Sequence, residues 1–216
     1  MNDQAQTSEA PPETVGRRQR SKHDKLRRIR AAAQRLFADQ GFEATTTRQI
    51  AEEADIGTGT LFLYAKSKEE LLVIVFQEDM VRIRDEAFAT LPKRATLLDE
   101  VFHVYRAMSE FHERDRALGR VYAKEMAFVR EPNRQGLHDF MNGIYELTER
   151  RIKAAKTRGE VAEQIPSRML ARNLFALYFS LLQSGLAEDV SLVSADHLGL
   201  LRESLALQLR GVAGEN

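Results

Sequence analysis

The segment Thr45–Leu72, TTTRQIAEEADIGTGTLFLYAKSKEELL, restricts what this chain can fold into more than any other stretch. Thr46 followed by Gln49 has the spacing of a capping box, in which each side chain satisfies the other residue's backbone N–H at a helix start. Ile50, Ala51 and Ala54 then recur at helical spacing and give one apolar side. Asp55-Ile56-Gly57 breaks the pattern: Asp tolerates the left-handed conformation of a tight turn, and Gly57 is permissive at a helix N-cap. A second short helix, Thr58 to Tyr64, is expected to turn Leu61 and Phe62 inward and to leave Thr58, Gly59, Thr60 and Leu63 facing out. A longer helix opens near Ser67. So small a helix with hydroxyls and glycine outermost has little to gain from burial. The major groove of DNA admits one α-helix, and a helix-turn-helix sets the N-terminal residues of its second helix on base edges.

The charge distribution agrees with that expectation although the net charge is zero. Residues 17–68 carry 12 Lys/Arg against 6 Asp/Glu, a local +6, whereas residues 1–16 and 69–216 each carry −3. Such asymmetry assigns any polyanion-binding face to the N-terminal third. A solvated helix surface accounts for any single arginine as well, but less well for a cluster beside a helix-turn-helix.

RQIAEEADI followed by GTGTLFLYAKSKEELL closely resembles the DNA-binding domain of the TetR family of bacterial transcriptional regulators, without gaps from about Lys25 to Phe76. The resemblance implies that Tyr64 and Lys68 hold DNA phosphates and that the recognition contacts fall on Thr58, Gly59, Thr60 and Leu63. It departs from the usual pattern at Asp55 (a turn glycine), Thr58 (a frequent lysine) and Ala65 (Phe or Val). The expected DNA-facing set is Thr46, Thr47, Arg48, Thr58, Gly59, Thr60, Leu63, Tyr64, Lys66 and Lys68.

Along the chain, residues 1–16 are polar with Pro11-Pro12 and are expected to form a disordered tail. Arg17, Arg18, Arg20 and Lys22 follow as a basic arm, suited to a minor groove or equally to solvation. A first helix is expected from about His23 to Gln40, stopped by Gly41. Residues 17–66 make the DNA-binding domain and 67–216 an effector and dimerisation domain. The helix from Ser67 runs to about Thr90, and Pro92 marks a boundary. Beyond it only helical periodicity appears, over 96–112, 115–130, 135–158, 167–187 and 194–212, so the fold is all-α.

Segment 167–187 is apolar nearly all round and must be covered on both faces, one by its own domain and the other by a second subunit. The resemblance likewise implies that the last two helices pair with their symmetry mates in a four-helix bundle. The expected interface is Leu174, Leu177, Leu181, Leu198, Leu201 and Leu205; a monomeric helical core is the plainer alternative.

Glu125 and His112 interrupt apolar stripes of the middle helices, and aromatic residues accompany them. A small-molecule pocket would draw on Phe102, Arg106, His112, Tyr122, Glu125, Phe140, Phe175 and Tyr178. The plainer readings are an ion pair from Glu125 to Arg106 or Arg172, a hydrogen-bonded core histidine and ordinary aromatic core. The basic run Arg150, Arg151, Lys153, Lys156 and Arg158 closes a helix and complements its dipole. Without cysteine there is no disulfide framework or thiolate site, and the five histidines show no zinc spacing, so no cofactor, metal or catalytic role is expected. With no apolar run of spanning length and no signal-peptide core, a cytoplasmic location follows. The expectation is a homodimeric regulator, most simply a repressor, that binds a pseudo-palindromic operator in double-stranded DNA and is released by a hydrophobic or amphipathic effector. An activator and a nucleoid-associated or protein-binding factor without effector stay open.

Overall fold

The computed structural model describes residues 13–129 and 133–212. Among these residues there are nine α-helices and no strand: α1 Glu13–Ala44, α2 Thr47–Glu53, α3 Thr58–Leu61, α4 Lys68–Ala89, α5 Leu97–Arg114, α6 Arg116–Glu125, α7 Arg134–Thr157, α8 Ser167–Ala187 and α9 Ala195–Arg210. The chain divides into two compact units, with the break between Leu71 and Leu72, inside α4.

In the first unit, α1 begins earlier than expected. Residues 1–12 of the anticipated tail lie outside the described residues, but Glu13–Gly16 and the arginine-rich stretch behind them are already helical. Between Pro12 and Gly41 only Gly16 weighs against a helix, near its start, and Arg, Gln and Lys are good helix formers, so the basic arm is the first part of α1. Gly41, at φ 80° and ψ 164°, kinks the chain, a conformation that costs glycine little. Ile29, Ala33 and Phe37 of α1 are buried with Phe42, Ile50, Ala51 and Leu61. Thr45 ties the corner by donating its hydroxyl to the Gly41 carbonyl at 2.7 Å.

The second unit is organised around α8, which packs on α6, α7 and α9, while α5 packs on α6, α7, α8 and α9. The inner side of α8 buries Leu170, Leu174, Phe175, Tyr178, Leu182 and Leu186. A Cβ on Gly185 would stand 2.6 Å from Leu192 and 2.9 Å from His197, so the absence of a side chain lets the α8–α9 corner close. Buried Glu100 of α5 is held by Arg151 of α7, whose Nε donates at 2.8 Å, and Arg158 stands 3.9 Å away. The basic end of α7 is therefore occupied by ion pairs, with Lys153 on Glu149 and Arg158 on Glu160.

Candidate DNA-reading surface and aromatic interior

The helix-turn-helix is built by the local interactions its sequence encodes. The Thr46 hydroxyl accepts from the Gln49 N–H at 3.2 Å, and Gln49 Oε1 accepts from the Thr46 N–H at 2.8 Å, closing the capping box. Asp55 is left-handed at φ 51°, and its carboxylate accepts from Arg28 of α1 at 3.0 Å. Gly57 is the N-cap of α3. Leu61 is fully buried and anchors α3, whereas Thr58, Gly59 and Leu63 are exposed and Thr60 is half-buried. Phe62, expected inward, is 39% exposed. The helix unwinds into a turn after Leu61, so helical periodicity does not carry Phe62 to the inner side.

The cationic side chains around this surface already hold partners. Arg48 donates to Glu52 at 2.8 Å with both groups exposed. Lys66 Nζ donates to the Phe62 carbonyl at 3.2 Å, just past the end of α3. Lys68 Nζ donates to the carbonyls of Phe42 at 2.7 Å and Glu43 at 3.2 Å, and lies 4.2 Å from the centre of the Phe42 ring. An ammonium has three N–H donors, so one remains for a phosphate. The Tyr64 hydroxyl reaches the Lys22 carbonyl of α1 at 3.4 Å. Thr47 is half-buried and Thr46 exposed at the start of α2.

Inside the second unit, α4, α5, α6 and α8 converge on an aromatic interior. Tyr105 stacks on Tyr178 with ring centres 4.7 Å apart, and Phe175 meets Tyr105 edge-on at 6.3 Å. Phe76 lies 4.6 Å from Phe111, 4.8 Å from Tyr122 and 5.5 Å from His112. Tyr105, His112, Tyr122 and Tyr178 are all buried, yet among the described residues three hydroxyls and His112 Nδ1 have no hydrogen-bond partner of good geometry. Ser109 beside the Tyr178 hydroxyl and Thr148 beside that of Tyr105 act as hydrogen-bonding neighbours that partly offset the effect of burial. Burial pushes His112 down to about 4, so its imidazole is neutral. It pushes the three tyrosines up, and Tyr178 is raised further by the neighbouring phenols of Tyr105 and Tyr122.

Of the residues expected to line a pocket, His112, Tyr122, Phe175 and Tyr178 share this interior. The other four lie elsewhere. Phe102 is covered by the Arg202 guanidinium of α9 at 5.2 Å, and Arg106 faces Glu110 at 3.6 Å on the surface of α5. Phe140 is buried beneath Arg84, whose Nη1 donates to its carbonyl at 3.2 Å. Glu125 ends α6, where its carboxylate is 3.4 Å from Lys124; neither Arg106 nor Arg172 is its partner. Phe76, Phe111 and Tyr105 belong to the interior without having been singled out as a lining. Their helical spacing was visible, but the side on which α4, α5 and α8 meet depends on packing.

The leucines expected at a dimer interface divide in the same way. Leu174, Leu201 and Leu205 are at most 1% exposed and belong to the unit's own core, because Leu174 lies on the inner side of α8 and α9 turns Leu201 and Leu205 onto α5 and α8. They are corrected from interface to core. Leu177, Leu181 and Leu198 are half-buried, and the apolar surface of α9 is carried instead by Leu200 and Leu207, 50% and 66% exposed. Leu177, Ser204, Leu207, Gln208 and Gly211 line an open groove of about 300 Å³ between α8 and α9. Among the described residues no helix is long and apolar enough to cross a membrane.

Residues 29–74 match the family model described as bacterial regulatory proteins, tetR family. A fatty acid metabolism regulator protein of Bacillus subtilis is 23% identical over 156 residues, spanning 72% of this chain and 80% of its own. The transcriptional repressor KstR2 of Mycolicibacterium smegmatis is 40% identical over 58 residues, 27% of each chain. Among solved structures, the TetR-family repressor FadR of Thermus thermophilus, in complex with lauroyl-CoA, superimposes with a TM-score of 0.69 at 23% identity, covering 88% of this chain and 96% of that one. That likeness is one of fold and extends to both units. The helix-turn-helix and its family match lead to one conclusion: residues 29–74 are the DNA-binding domain described for bacterial regulatory proteins of the tetR family, and the chain is a DNA-binding transcriptional regulator.

Proposed function

We propose that the chain is a homodimeric repressor whose first unit reads a pseudo-palindromic operator, and whose second unit binds a hydrophobic or amphipathic small molecule that releases it. The observation carrying this reading is the reading helix itself. A capping box, a left-handed Asp55 and a buried Leu61 fix α3 so that Thr58, Gly59 and Leu63 are offered to a groove. Tyr64, Lys66 and Lys68 supply phosphate contacts around it. An aromatic interior with unmet hydrogen-bonding groups supports an effector site, and the fatty-acid regulator and the lauroyl-CoA-bound repressor among the relatives support an effector of acyl character. Self-association runs through the outer sides of α8 and α9, where Leu177, Leu181, Leu200 and Leu207 form the available apolar surface.

Coupling follows from α4, a single helix with Lys68 at its first position and Phe76 among the interior rings. An effector that prefers the DNA-free arrangement shifts the population towards it by its difference in affinity for the two states, and no further. Footprinting of the purified protein on genomic fragments is expected to protect sites of two-fold symmetry, with half-site centres about 34–36 Å apart or a small multiple of that. Lys68→Ala is expected to weaken all sequences alike and lower the slope of log affinity against log salt by roughly 0.9 per subunit. Protection without sequence preference sinks the repressor reading, and an unchanged slope removes Lys68 from the phosphate contacts.

A further inference from the structure

Tyr105, Tyr122, Tyr178 and His112 each bury a polar atom, on residues at most 3% exposed; Tyr105 stacks on Tyr178, the rings of His112 and Tyr122 lie 5.9 Å apart, and the Tyr178 and Tyr122 phenols interact electrostatically. They arrive from three helices, Tyr105 and His112 from α5, Tyr122 from α6 and Tyr178 from α8. Buried polar groups are ordinarily paired, and each unpaired one opposes folding. Tyr122 and His112 are left unmet, and Tyr105 and Tyr178 have only Thr148 and Ser109 beside their hydroxyls; that is more than packing requires, since phenylalanine would fill the same space at the tyrosines without the cost.

Their chemistry selects what they would bind. Each tyrosine offers an O–H donor and lone pairs, and a neutral imidazole Nδ1 is a donor or an acceptor according to tautomer. The four residues themselves supply no formal positive charge. His112 is held neutral by burial. The nearby arginines are directed elsewhere: Arg116 donates to the carbonyls of Val190 and Gly185, Arg120 to that of Leu186, and Arg172 lies over Tyr145. A carboxylate placed among these rings would be a buried charge without a counter-charge, which is far more costly than a buried neutral oxygen.

We propose that this tyrosine–histidine set recognises an uncharged oxygen on the hydrophobic skeleton of the effector and refuses a carboxylate. The proposal rests on the effector-binding reading above and narrows it to neutral carbonyl, thioester or hydroxyl ligands. Two sources share that chemistry, an acyl thioester and a phenol.

The test uses the full-length protein and two matched pairs of probes below their micellar concentrations. One pair is the N-acetylcysteamine thioester of dodecanoic acid against dodecanoate; the other is para-octylphenol against para-octylbenzoate. Binding is measured by calorimetry, with release of labelled operator as a second readout. At least one neutral probe is expected to bind tenfold or more tightly than its carboxylate partner, about 1.4 kcal/mol. The pair that discriminates names the source. Tyr122→Phe and Tyr178→Phe are each expected to weaken that probe about fivefold, the loss of one neutral hydrogen bond. Tyr122→Phe, without ligand, should melt higher by about 2 to 4 °C, because an unmet hydroxyl has been removed.

Carboxylates that bind as well as their neutral partners overturn the proposal. So does a lower or unchanged melting temperature in Tyr122→Phe, which would place that hydroxyl in the fold's own hydrogen bonding; this result decides even if none of the four probes binds. Operator binding by the ligand-free protein is measured in parallel. If operator binding persists while the probe and melting results go the wrong way, this proposal fails and the DNA-binding reading stands; if wild type fails to bind operator, the broader reading falls on its own evidence.

Discussion

At the scale of single residues, His112 shows how burial becomes a dependence on pH. Its ordinary value of 6.5 falls to about 4 in the folded chain because charging it would place an ion among Phe76, Phe111 and Tyr122. The unfolded chain takes up the proton as pH drops below 6.5, whereas the folded chain does so only near 4. Stability from the neutral imidazole is thus complete above 6.5 and declines as pH falls, by up to about 3 kcal/mol. His112→Phe removes this titration. Urea unfolding between pH 6.5 and 4 is expected to show a markedly smaller loss of stability in the variant. Parallel losses would mean that the imidazole charges in place. Glu113, whose carboxyl is held low by bonds from Leu192, Ser191 and Arg116, titrates in both proteins and cancels from the comparison.

At the scale of elements, α9 separates two leucine stripes that a sequence alone cannot rank. Leu201 and Leu205 are core, while Leu200 and Leu207 face out. Leu201→Ala is expected to cost about 2–5 kcal/mol in chemical unfolding, as large-to-small core substitutions do. Leu207→Glu should leave the fold intact and shift sedimentation from dimer to monomer. A Leu207→Glu protein that stays dimeric moves the interface away from this stripe. The elements whose instructions are local were legible beforehand: the Thr46–Gln49 capping box, the left-handed Asp55 and the α8 span Ser167–Ala187 all lie where their residues placed them. What was not legible depends on a neighbour. Glu125 turns to Lys124, Phe102 lies under Arg202, and the choice between Leu200 and Leu201 is made by α5 and α8. The unmet hydroxyls were invisible for the same reason, since satisfying a buried polar atom is a property of packing.

At the scale of the whole molecule, positive charge concentrates in residues 17–68, and the rest of the chain carries a slight excess of negative charge. A repressor so divided exchanges free energy between two ligands of different kinds. If an effector weakens operator binding by some factor, operator must weaken the effector by the same factor, because both act on one equilibrium. Effector titrations with saturating operator and without it are expected to differ by the factor seen when operator is titrated with and without effector. Unequal factors would mean that more than a shared two-state equilibrium links the sites.

The aromatic interior also makes the molecule its own spectroscopic reporter. The chain contains no tryptophan and only five tyrosines, and Tyr105, Tyr122 and Tyr178 lie within one buried cluster. Tyr145 stands edge-on to Phe175 beside them, which leaves Tyr64 as the single phenol in the reading head. Ultraviolet emission from the unlabelled protein therefore comes mostly from the rings around the proposed effector site. Replacing Tyr64 with phenylalanine would make that optical signal specific to the second unit, so occupancy there can be followed without a dye and without disturbing a buried side chain.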